Sequence, residues 1–115
     1  MVRTTNNNDA ISREQILELE KIYITLVEAA VEILGGDTRQ VRPIISKAKR
    51  ESRGQVFHMT PFHAAEVFTR CPLPHTPESL EHKRYIQAAD RIIPNHFKTK
   101  WNLVWFGVQP KTGSK

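Results

Sequence analysis

Six cations fall within fifteen consecutive positions of this chain: Arg39, Arg42, Lys47, Lys49, Arg50 and Arg53. Two acids, Asp37 and Glu51, stand against them, so residues 37–53 carry a net +4. On a helical wheel Arg39, Arg42, Lys49, Arg50 and Arg53 share an arc of about 100°, and Val41, Ile44, Ile45 and Ala48 take the opposite one. A helix face of Lys and Arg can neutralise several phosphates of a nucleic acid and release their counterions. Arginine adds bidentate phosphate contacts. The plainer alternative is a solvated helix face.

Three other groupings invite a chemical reading. Lys98, Lys100, Trp101 and Trp105 interleave cation with aromatic, as a platform that stacks single-stranded bases would. Core aromatics at the end of a small domain give the same pattern. His58, His63, Cys71 and His75 are four potential zinc ligands, but their spacing, H-x4-H-x7-C-x3-H, matches no common zinc-finger pairing. We therefore expect no metal and no cofactor. Cys71 is the only cysteine. It precedes Pro72 without any local signature of a nucleophile. No glycine-rich phosphate loop, HExxH or paired-carboxylate motif occurs, so the chain is not expected to be an enzyme.

These residues must be positioned by a chain of 115 residues, the size of one domain. Such a length buries a core without disulfides or metals. The formal charge is +5, unevenly spread. Residues 1–36 hold three basic and six acidic residues, residues 54–93 four of each, and residues 94–115 four lysines and no acid. No apolar leader opens the chain, and its longest apolar run (residues 103–108) is far below the roughly 18 residues of a membrane span. With a lone thiol, this fits a soluble intracellular protein of the cytoplasm or the nucleoid or nucleus.

Residues 1–11 and 110–115 read as disordered ends around a single domain over 12–109. Ser12 with Gln15 resembles a capping box, and apolar residues then recur at helical spacing from Ile16 to Leu34. Gly35-Gly36 closes this long first helix. Asp37 begins the basic segment. Pro43 objects to a helix running from Asp37, because inside one it removes a hydrogen bond; alternatively it is itself the first helical residue. Gln55–Met59 reads as short and extended. Thr60-Pro61 starts a third helix that ends near Cys71, and Thr76-Pro77 starts a fourth that ends at Pro94. Residues 101–108, apolar and aromatic, read as a strand.

The expected fold is mainly α, an α+β arrangement of about four helices with a C-terminal strand or hairpin. Element order suits a helix-turn-helix or winged-helix domain, though the connector of residues 53–59 exceeds the usual 3–4-residue turn. The expected function is non-enzymatic binding of DNA or RNA. Arg39, Arg42, Lys47, Lys49, Arg50 and Arg53 would meet phosphates, Lys98 and Lys100 would assist, and His63, Thr69 and Arg70 would face base edges. The apolar stripe of the first helix suggests a homodimer seam as well as a core. The alternative function is an assembly adaptor that docks another protein through the first helix and the C-terminal strand.

Overall fold

The computed structural model describes residues 13–72 and 75–108, with Lys100 and Trp101 described by their backbone alone. The expected ends at 1–11 and 110–115 and the cap at Ser12 lie outside the described residues. The described residues form five α-helices and three short 3-10 turns. Among them no helix is long and apolar enough to cross a membrane.

Helix α1 (Arg13–Ile33) buries Leu19, Ile22, Tyr23, Leu26, Val27, Ala30 and Val31 on one face. Each fully buried aliphatic side chain contributes roughly 1.5–3 kcal/mol. The helix ends as the glycine pair dictates. Gly35 takes φ +84°, its N–H donates to the Glu32 carbonyl (3.0 Å), and the Gly36 N–H donates to the Val31 carbonyl (2.8 Å). Two carbonyls left over at the helix end are thereby satisfied.

Asp37 caps the next element as expected, accepting from the Arg39 N–H at 3.0 Å. It caps a 3-10 turn (Thr38–Gln40) that leads straight into α2 (Val41–Ser52). Pro43 is the third residue of α2. First-turn N–H groups have no intrahelical acceptor, so the proline removes nothing there. Val41 and Ile45 are buried.

Gln55–His58 is a 3-10 turn rather than an extended stretch. Core side chains hold its carbonyls. The Tyr23 hydroxyl lies 2.8 Å from the Met59 carbonyl and 3.1 Å from that of Val56, and the Trp105 Nε1–H donates to Phe57 at 2.7 Å. An irregular segment can thus be buried without orphaned backbone groups. Burial pushes the Tyr23 phenol above its ordinary pKa, which keeps it a donor.

Thr60 and Pro61 start α3 (Pro61–Phe68) as expected, the Thr60 hydroxyl accepting from the His63 N–H. The fourth helix begins later than expected. Thr76 to Ser79 form a turn closed by the Ser79 N–H on the Thr76 carbonyl, and Ser79 caps α4 (Leu80–Ile92). Pro77 therefore serves the turn, a position its fixed φ suits equally well.

The C-terminal strand is corrected: Lys100–Trp105 is a short helix, α5. Its ends explain why. Thr99 accepts from the Asn102 N–H at 3.2 Å, and Gly107 at φ +77° lets the Val108 N–H reach the Leu103 carbonyl at 2.7 Å. The backbone is satisfied locally and needs no partner strand. The continuous apolar run marks burial from several sides: Phe106 is fully buried, and Leu103, Trp105 and Val108 pack against the same core. The Tyr85 hydroxyl donates to the Phe106 carbonyl, tying α4 to α5. Helix α1 is the central element, contacting α2, α3 and α4.

Candidate nucleic-acid interface

The six cations of the basic segment divide by what lies within their reach. Arg39 forms a two-point contact with Asp37, Nε to Oδ1 at 3.1 Å and Nη2 to Oδ2 at 3.2 Å. This contact holds the Asp37 carboxyl below the usual carboxylate range. Arg42 pairs with Glu28 at 3.2 Å, and Lys49 with Glu20 at 2.9 Å. The Lys49 ammonium also lies 5.9 Å from the centre of the Phe57 ring. These last two pairs join α2 to the acidic side of α1, which runs antiparallel to it. Lys47, Arg50 and Arg53 are exposed and have no ion pair among the described residues. Lys47 and Arg50, three apart, are neighbours on the helix surface, and Arg53 is the C-cap that follows α2.

Arg53 is unusual in its backbone. It takes φ +55°, and Arg70 at the exit of α3 takes φ +59°. Among the described residues they are the two non-glycine positions in the left-handed region. Both are exposed.

The remaining expected contact residues are placed differently. His63 is exposed on α3, its Nδ1 3.5 Å from Glu66 Oε1. Thr69 is half-buried, and its hydroxyl donates to the Ala65 carbonyl at 2.8 Å. Lys98 donates to the Asp90 carbonyl at 2.9 Å and lies 3.2 Å from the Asp90 carboxylate. It thus serves a carbonyl in the last turn of α4, where a cation also suits the helix dipole. The Lys100 side chain lies outside the described residues, as does that of Trp101.

Sequence reasoning missed Glu66. It is 7% exposed and is the only charged residue in the described core. Its Oε2 accepts from the His75 backbone N–H at 2.6 Å and meets the His75 Nδ1 at 2.9 Å. Burial alone would push this carboxyl up. Hydrogen bonds from His75 and His63 outweigh it and hold the carboxyl below its ordinary range. The signal was present: Glu66 is the one acid between residues 54 and 75 and stands between Ala64-Ala65 and Val67-Phe68.

The metal reading gains nothing from the fold. His63 and His75 turn toward Glu66, and the Cys71 thiol lies 3.3 Å from the Thr69 hydroxyl. Among the described residues no group of three His, Cys, Asp or Glu could hold a metal ion. No protein family, curated protein or solved structure matches the chain, so its function is read from its own residues.

Proposed function

We propose that this chain binds nucleic acid without catalysis, through the outer row of α2. The observation that carries the reading is Lys47 and Arg50 on α2 with Arg53 at its C-cap: three exposed cations with no ion pair among the described residues. Phosphates spaced along a strand are the polyanion such a row meets best. Arg42 and Lys49 add to the field.

The contact is made by α2 lying along phosphates. A helix-turn-helix docking would instead place α3, the second helix of the succession, in a groove. Helix α3 buries Pro61, Phe62, Ala64, Ala65 and Glu66 and offers His63 and Val67 outward. It has no broad polar face for base edges. The reading is therefore phosphate-led binding with little sequence preference.

Replacing Lys47, Arg50 and Arg53 together with Ala tests it. Fluorescence anisotropy on a labelled oligonucleotide should show affinity reduced about tenfold or more, with the helical circular-dichroism signal retained. Lys98→Ala should change affinity by less than about twofold, because Lys98 is engaged with Asp90. Unchanged binding by the triple variant would refute the assignment.

A further inference from the structure

We propose, resting on the reading that α2 meets phosphate, that Glu20 and Glu28 of α1 are its selectivity residues. By holding Lys49 and Arg42 they confine a bound nucleic acid to Lys47, Arg50 and Arg53. Arg42 and Lys49 stand seven residues apart, two turns of α2, and so share one edge of that helix. Glu28 and Glu20 stand eight apart on α1. At 1.5 Å per residue these spacings are about 10.5 Å and about 12 Å, so antiparallel packing brings both pairs into register at once. The Arg42 Nε lies 3.2 Å from Glu28 Oε2, and the Lys49 Nζ lies 2.9 Å from Glu20 Oε1.

The two carboxylates are recessed, and the two cations reach over them. The side chains of Glu28 and Glu20 are 27% and 21% exposed, against 66% and 48% for Arg42 and Lys49. A phosphate that drew either cation off would leave a poorly hydrated carboxylate without its counter-charge. It would also bring its own negative charge beside that carboxylate. Lys49 is held a second time, its ammonium 5.9 Å from the centre of the Phe57 ring. Lys47 and Arg50 lie about 80–160° round α2 from the held edge, and neither has an ion pair among the described residues. Helix α1 thus takes two of the five cations from Arg42 to Arg53 and leaves three. A footprint of three phosphates rather than five makes the contact weaker and more readily reversed by salt.

Glu20→Gln/Glu28→Gln in the full-length chain tests this, by anisotropy on a labelled duplex at several salt concentrations. The variant should gain two contacts. The slope of log K against log salt should steepen from about −2.7 to about −4.5, and binding should tighten at least about tenfold at about 50 mM salt. A gain of affinity is not the result a folding defect gives. Glu14→Gln/Glu32→Gln is the matched control. It removes the same two charges from the same helix, but from exposed carboxylates with no ion pair among the described residues. Its slope should stay at the wild-type value. Adding Arg42→Ala and Lys49→Ala to the Glu20→Gln/Glu28→Gln variant should abolish the gain. Equal slopes for that variant and the wild type, with binding intact, would overturn the inference and leave the phosphate row standing. An equal rise in the control would overturn it too, by tracing the effect to net charge. Absence of binding by every protein would overturn it together with the phosphate reading on which it rests.

Discussion

A lysine or arginine is open to a phosphate to the extent that no carboxylate already holds it. Six cations were legible in residues 39–53, but their partners were not: Glu28 and Glu20 lie 14 and 29 residues away from Arg42 and Lys49 in the chain. Helical periodicity ranks side chains around one helix and is blind to a neighbouring one. The backbone of Arg70 was equally hidden, since nothing local requires φ +59° of an arginine. The left-handed conformation costs an L-residue roughly 1–2 kcal/mol, part of which glycine returns as unfolded-state entropy. Arg70→Gly is therefore expected to raise stability by up to about 1 kcal/mol, seen as a rise of a few degrees in Tm. Glu66 yields a pH expectation. Its carboxyl is depressed in the folded state, so its contribution is present above the unfolded carboxylate range and lost as pH falls through the folded value. In urea titrations the wild type should lose more stability between about pH 6 and about pH 3 than Glu66→Gln does.

Helices α1 and α3 could be read from the sequence because the period agrees with a boundary signal, the Gly35-Gly36 stop for α1 and the Thr60 cap for α3; the period of α2 was legible too, but the Asp37 cap serves the 3-10 turn before it. Ser79 displaced Thr76 as the cap of α4 because both are good caps, and three residues decide which one the packing uses. The C-terminal segment misled for a different reason. Six of the eight residues from Trp101 to Val108 are apolar or aromatic, and such a run has no period to separate helix from strand. Its two brackets, Thr99 and Gly107, carried the information. Two substitutions probe the element contacts. A Cβ on Gly36 would stand 2.7 Å from the Thr69 Cγ2 and 2.9 Å from the Val31 Cγ1, where α3 exits against the end of α1. Gly36→Ala should cost about 1–3 kcal/mol in thermal unfolding, through overpacking at an ordinary φ. Trp105→Phe keeps an aromatic ring but leaves the Phe57 carbonyl without its donor, a loss of about 1–3 kcal/mol by denaturant titration.

At the scale of the whole molecule, charge and architecture are coupled. The acidic first third and the basic second element were visible as composition, and the fold lays one against the other, so that part of each cancels. On the basic segment Lys47, Arg50 and Arg53 remain outward without an ion pair among the described residues, and Arg70 at the exit of α3 and Lys83, Arg84 and Arg91 on α4 are exposed as well. The central claim is that the row of Lys47, Arg50 and Arg53 is the phosphate contact, and the salt dependence of binding counts it. Each neutralised phosphate contributes about −0.9 to the slope of log K against log salt on duplex DNA and about −0.7 on a single strand. Anisotropy titrations of the wild-type chain between about 50 and 200 mM salt should give a slope near −2.7 on duplex or −2.1 on single strands, for three contacts. A slope about twice as steep would mean that the paired cations Arg39, Arg42 and Lys49 also abandon their carboxylates. Absence of binding at the lowest salt, or a slope near zero, would contradict the account.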